Sequence, residues 1–348
     1  MARRARVSYH TAIRHQAGAD MNVKPAIAIS MGDPAGIGPE LIVKVLADGK
    51  VFERCRPVII GDLLTMRNAA ALLGATLRFR PVADLAEAQF QPLDPDLLSP
   101  PGFELGAPLP PAVHPKLGEA AGRYLALAYE LAMDGRVDGV VMAPMNKESF
   151  RAAGYDYFDE LQFLGELTGS EEPYILGAAG PVWAVAVTEH IPFKDIVSQL
   201  SIERVRRTIE HLHIVLRKLG FAAPRIACAA LNPHAGEGGL FGREEIDIIA
   251  PAIGRAQASD INVSGPVPAD IVFKRALDGD FEGVVCLYHD QMNIARKLQS
   301  RADIATLWMG LPVIGATTAH GTAFDIAGQG LADPGSLRAA LDYVIRLA

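Results

Sequence analysis

The chain has 348 residues, half of them apolar, with 33 basic and 40 acidic side chains and a net charge of −7. That length favours two domains, and an acidic balance without a basic, aromatic-laced run argues against a nucleic-acid binder. Cys55, Cys228 and Cys286 stand alone with no C-x-x-C pair, which excludes a disulfide framework or thiolate zinc knuckle and fits a reducing cytoplasm.

Residues 1–20 carry Arg3, Arg4, Arg6 and Arg14, no acid before Asp20, and no apolar core of a secretion signal. They are expected to be a disordered tail or an over-extended gene start, with an arginine-rich transit peptide as the alternative. Short, continuous apolar runs at 26–29, 57–60, 139–142, 183–187, 225–229 and 283–287 predict strands covered on both faces. Helical spacing predicts helices over 40–46, 119–133, 202–219, 244–256 and 336–347. In the third of these, Val205, Ile209, Leu212 and Leu216 form the apolar stripe, and His211 and His213 read as packing or surface residues.

Residues 90–115 are too rich in proline for a regular helix and read as a long surface connection or arm. The longest apolar stretch, 174–188, is broken by Gly177, Gly180 and Pro181 and is too short to span a bilayer. Strands alternating with helices give an α/β protein with largely parallel sheets.

The loop over residues 31–40, Met-Gly-Asp-Pro-Ala-Gly-Ile-Gly-Pro-Glu, follows the first strand and opens a helix. Its glycines permit close backbone approach, and Asp33 falls at a strand C-terminal end, where open α/β folds place their ligands. Lys147 follows the strand at 139–142 and is a candidate for proton transfer. His234 and His289 each follow a strand, among small polar residues, and suit an imidazole–metal site with open positions. Asp270 and Asp290 are candidate carboxylate partners, and Lys297 a candidate for holding a substrate carboxylate.

In residues 320–328, His-Gly-Thr-Ala-Phe-Asp-Ile-Ala-Gly, small side chains allow backbone N–H groups to approach a pyrophosphate. Asp325 could accept from ribose hydroxyls and repel a 2′-phosphate, favouring NAD over NADP. His320, Gly321, Thr322, Ala323 and Asp325 are therefore cofactor-side candidates, with Asp33 and Asp333.

Residues 31–40, 232–243, 265–270, 288–291 and 320–336 together resemble the 4-hydroxythreonine-4-phosphate dehydrogenase (PdxA) family. The resemblance implies two α/β domains around a cleft, like the isocitrate and isopropylmalate dehydrogenases, and homodimers whose active site is shared between subunits. The domains expected are a nucleotide-binding one of residues 21–142 with 308–348, and one of residues 143–307 bearing metal, substrate and dimer contacts. The resemblance further implies that NAD oxidises a β-hydroxy acid that then loses carbon dioxide, beside a divalent metal (zinc, magnesium, manganese, iron or cobalt).

Departures from the family pattern set the expected substrate. His234 and His289 match two of its three metal histidines, but Glu160 stands at the third and becomes the candidate third ligand. Members acting on phosphorylated substrates have a histidine at Asn146, an asparagine at Thr306 and an arginine at Gly315, while Lys297 is kept. Losing a charge-assisted arginine–phosphate contact costs about 1.5–3 kcal/mol. Asn146 and Lys297 are thus expected to face a non-phosphorylated carboxylate. The family's terephthalate cis-dihydrodiol dehydrogenase branch fits, with protocatechuate as product. The alternatives are 4-hydroxythreonine-4-phosphate or another phosphorylated hydroxy acid, a phosphate acyltransferase, and a metal-poor binding protein.

Overall fold

A computed structural model describes residues 23–298 and 304–348; the tail expected at residues 1–20 lies outside the described residues. In chain order the strands are β1 (Ala26–Ser30), β2 (Arg56–Ile60), β3 (Arg80–Val82), β4 (Asp96–Leu98), β5 (Gly139–Met142), β6 (Tyr174–Ala179), β7 (Val182–Thr188), β8 (Ile226–Ala229), β9 (Val263–Val267), β10 (Gly283–Tyr288), β11 (Ile304–Met309) and β12 (Gly315–Thr318). The chain forms two compact α/β units. The first runs up to Tyr174 and resumes at Trp308–Arg346; the second is Ile175–Leu307. Residues 143–174, expected in the second domain, therefore belong to the first unit. The physical reason is that β5 lies between β1 and β12, and the helix Lys147–Ala152 that leaves it packs on Pro115–Met133.

In the first unit the parallel order is β3-β4-β2-β1-β5-β12. β1 is buried along its whole length, as a strand covered on both faces must be. The chain runs from β1 to β2 on one side and later returns to β5 on the other, so the loop after β1 sits where the strand order reverses. β4 corrects the expectation that residues 90–115 are only a surface connection. Its Asp96 is fully buried, pairs with Arg80 and accepts from the Gln89 and Phe90 N–H groups at 2.8 and 2.7 Å.

In the second unit β7, β10, β8 and β9 are parallel neighbours in the order β7-β10-β8-β9. The broken apolar stretch at 174–188 is a hairpin: β6 runs antiparallel to β7, and Gly180 turns the chain at φ +58°. The helix Ile202–Lys218 starts at Ser201, whose side chain accepts from the Arg204 N–H, and buries Val205, Ile209, Leu212 and Leu216. His211 is a packing residue; burial pushes its pKa down to about 4. Among the described residues no helix is long and apolar enough to cross a membrane.

Candidate active site

The cofactor-side candidates converge on one edge of the first unit. After β1 the backbone turns at Gly32 with φ +69°, and a Cβ there would lie 2.3 Å from the carbonyl oxygens of Ala143 and Pro144. Only glycine fits. Asp33 then donates its N–H to Pro144 O at 2.9 Å, while its Oδ1 accepts from the Ala35 N–H at 3.0 Å. The side chain is fully buried. Burial pushes its pKa up to about 6, against the opposing pull of the Ala35 and Gly36 N–H groups.

This loop is tied to the 320–328 loop. The Ile37 N–H donates to Thr322 O at 3.0 Å, and Glu40 Oε1 accepts from the Gly328 N–H at 2.5 Å. Thr322 is buried and Ala323 takes a positive φ of 42°, while His320, Gly321 and Asp325 are exposed. Asp333 is also exposed and accepts from the Gly335 N–H at 2.8 Å, just before the helix Gly335–Leu347. Beside both loops lies a cavity of about 330 Å³, bordered by Gly36, Glu40, Leu105, Pro108 and Gly328.

Asn146 caps the helix Lys147–Ala152, its Oδ1 accepting from the Ser149 N–H at 2.8 Å. Lys147, exposed at the first helical position, stands 3.6 Å from Glu160 Oε2. Glu160 opens the next helix, Glu160–Thr168, capped by Asp159. The structure therefore joins Lys147 and Glu160, two residues assigned separate roles in the sequence.

In the second unit three adjacent parallel strands end at candidate residues. His289 opens the helix His289–Lys297 directly after β10, with Nδ1 2.7 Å from Asp290 Oδ1. Asp290 thus engages Nδ1 and helps fix the orientation of the ring. Lys297 closes that helix and Asp270 opens Ala269–Leu277; both are exposed. After β8, residues 234–238 all take positive φ, forming a left-handed turn. There His234 is exposed, 3.5 Å from Glu237 Oε2, with its ring edge-on to Phe241.

Sequence reasoning missed two residues after β7. Among the described residues, Glu189, His190 and His289 form a group whose ligand atoms all lie within 4.8 Å of one another. The signal was present: Glu189 and His190 follow the 183–187 strand as His289 follows 283–287. His234 and Glu160 are not members of that group.

The positions from which a non-phosphorylated substrate was argued have local structural roles. A Cβ on Gly315 would meet Tyr129 Oη at 2.2 Å and Trp308 Cε3 at 2.8 Å, so glycine there serves core packing. Thr306 Oγ1 accepts from the Arg296 guanidinium at 3.0 Å, which places an arginine beside a position expected to have lost phosphate-binding character.

A family model described as pyridoxal phosphate biosynthetic protein PdxA matches residues 53–344. A D-threonate 4-phosphate dehydrogenase from Cupriavidus necator is 41% identical over 329 residues, 93% of this chain and 97% of its own. The solved structure of a 4-hydroxythreonine-4-phosphate dehydrogenase from Klebsiella pneumoniae matches with a TM-score of 0.83 and 36% identity, covering 94% of this chain and 99% of its own. A terephthalate 1,2-cis-dihydrodiol dehydrogenase from Burkholderia xenovorans LB400 is less similar, at TM-score 0.63 and 31% identity over 93% of this chain and 98% of its own.

These relatives overturn the expected terephthalate dihydrodiol substrate, and with it the assignment to aromatic catabolism. The error was to read missing side chains as a missing function, although Gly315 answers to Tyr129 and Trp308. Relatives aligned over nearly their whole length are dehydrogenases, and the chain is an enzyme of that oxidoreductase class.

Proposed function

The chain belongs to the PdxA family, and we propose that it is an NAD-dependent dehydrogenase of a phosphorylated β-hydroxy acid. The substrate type is that of 4-hydroxythreonine 4-phosphate or D-threonate 4-phosphate. The observation carrying this reading is the end-to-end likeness to the Cupriavidus necator enzyme named for the second of these.

The first unit's joined loops offer backbone N–H groups and small side chains for a dinucleotide. Asp325, exposed on the second loop, accepts from ribose hydroxyls and disfavours a 2′-phosphate. The hydroxyl-bearing carbon passes a hydride to the nicotinamide while the hydroxyl proton leaves to a base, a role assigned to Lys147 through its exposed ammonium. The β-keto acid so formed loses carbon dioxide and takes up a proton at the carbon released. The imidazole and carboxylate donors after β7 and β10 suit a borderline divalent ion. When bound, that ion supplies positive charge next to the reacting oxygen. Asp290 fixes the His289 ring, and Lys297 and Asp270 are assigned to substrate anion binding and ligand orientation. A cytoplasmic homodimer completes the proposal, consistent with three buried free cysteines.

The test is NADH formation by purified protein with a divalent metal, comparing each phosphorylated acid with its dephosphorylated counterpart, and carbon dioxide measured separately. Failure to reduce NAD with either phosphorylated acid, or equal rates without the phosphate, would sink the proposal. NADH without carbon dioxide would remove only the decarboxylation step.

A further inference from the structure

The loop that carries the cofactor-side candidates has no regular structure of its own. Residues 321–334 form neither helix nor strand between β12 and the helix Gly335–Leu347. Its own backbone bonds make two short turns, from the Ile326 N–H to Ala323 O at 3.1 Å and from the Gln329 N–H to Ile326 O at 3.3 Å. A segment without a ladder keeps one shape only where neighbouring elements hold its polar groups.

One face of the helix Gly38–Leu46 does so. Ile37 precedes the helix as its N-cap, and Ile37, Glu40 and Lys44 follow the i, i+3, i+7 spacing that puts residues on one side. The Ile37 N–H donates to Thr322 O, and Glu40 Oε1 accepts from the Gly328 N–H. Lys44 Nζ then donates to Gly330 O at 2.8 Å and to Ala332 O at 2.5 Å. Glu40 is in the first turn and Lys44 in the last, the ends at which the helix dipole favours each charge. An acid four residues before a lysine can pair with it along a helix; here each reaches the loop. Beyond the helix, Asp48 Oδ2 accepts from the Arg338 guanidinium at 2.8 Å, so the helix that follows the loop is tied to the same segment.

We propose that Glu40 and Lys44 are positioning residues for the cofactor, holding this loop in its binding shape before the dinucleotide arrives. Asp325 lies between Thr322 and Gly328, two of the tied residues, so its carboxylate meets the ribose already in place. A loop that takes its competent shape for only a fraction of the time binds more weakly by that fraction. Lys44 is the sharper probe of the two. Glu40 borders the cavity beside the loop, whereas Lys44 does not, so any effect of Lys44 on the cofactor runs through the loop. The inference rests on the NAD-dependent reading above, and hydrogen exchange gives it a readout that needs no turnover.

Hydrogen exchange over residues 321–334 of the full, cofactor-free chain is followed by mass spectrometry, and NAD affinity by calorimetry. Lys44→Met should speed exchange there about tenfold and weaken NAD binding at least about fivefold. Lys44→Arg keeps N–H donors for both carbonyls and should restore both to within about threefold of the wild type. In turnover, Lys44→Met should raise KM for NAD at least about fivefold and leave KM for the phosphorylated acid within about twofold. Unchanged exchange, or faster exchange with unchanged NAD affinity, overturns the inference. Should Lys44→Met fail to fold, acetylation of the wild type by acetic anhydride decides. Lys44 must release the two carbonyls to react, so NAD should slow its acetylation; an unchanged rate overturns the positioning role. A wild type that binds no NAD overturns the proposed function and this inference together, whereas wild type and Lys44→Met binding NAD alike overturns this inference alone.

Discussion

Replacing Asp33 with asparagine should make the first unit's stability less dependent on pH. A carboxyl moved from 3.8 to about 6, at 1.4 kcal/mol per tenfold change in acidity, disfavours the folded state by about 3 kcal/mol once ionised. The sign follows from proton binding. Between 3.8 and about 6 the folded chain holds more protons than the unfolded one, so this group lowers stability as pH rises through that window. Below it the cost is gone. Asparagine keeps the acceptor for the Ala35 N–H but puts an NH2 where Oδ2 finds no partner among the described residues, a pH-independent cost of about 1–2 kcal/mol. The variant should therefore gain about 2–3 kcal/mol on the wild type between pH 4 and pH 8, ending more stable at the upper end. Trp308 lies in the first unit and Trp183 in the second. Urea unfolding of cofactor-free protein in a Trp183→Phe background, followed by fluorescence, would report the first unit. A difference that stays constant across that pH range would refute the reasoning.

Three further outcomes are expected. Gly315→Ala should destabilise by about 1–3 kcal/mol, as overpacked cores do, because the added methyl meets Tyr129 and Trp308; an unchanged thermal midpoint would refute the packing role. Lys147→Ala should cost less than about 1 kcal/mol of stability, since the pair with Glu160 is long and the lysine half exposed. Its kcat should nevertheless fall at least about a hundredfold if the amine moves a proton, and equal kcat would remove that role. Asp325→Asn should raise the NADP-to-NAD ratio of kcat/KM about tenfold or more; an unchanged ratio would show that the carboxylate does not face the ribose.

The doubly covered strands were legible because continuous apolar runs have few other uses in a chain of this composition. Less legible were strands whose identity depends on neighbours. β4 has three residues inside a proline-rich segment and exists because β2 and β3 flank it. β6 merged with β7 into one apolar stretch, although Gly180 and Pro181 marked the turn. β9 contains Gly265 and Pro266, which weaken any strand pattern and suit its edge position. His234 and His289 stood out as histidines after strands; Glu189 and His190 also follow a strand, but the pairing of β7 with β10 that sets them beside His289 is not written in the sequence. Gly315 showed the opposite fault. A glycine required by Tyr129 and Trp308 was taken as a statement about substrate.

Parallel pairing sets Thr188 of β7 opposite Tyr288 of β10, and this has a consequence for how the second unit tolerates change in chain length. Side chains alternate faces along a strand, so inserting or deleting one residue within β7 or β10 would turn Glu189 or His289 toward the opposite face of the sheet. Point substitutions along either strand leave that phase intact, and length changes in the segments before Val182 and Gly283 do not disturb it. Loops can therefore drift in length around this sheet, while the distance from each strand's first residue to the acid and imidazole at its end is held fixed.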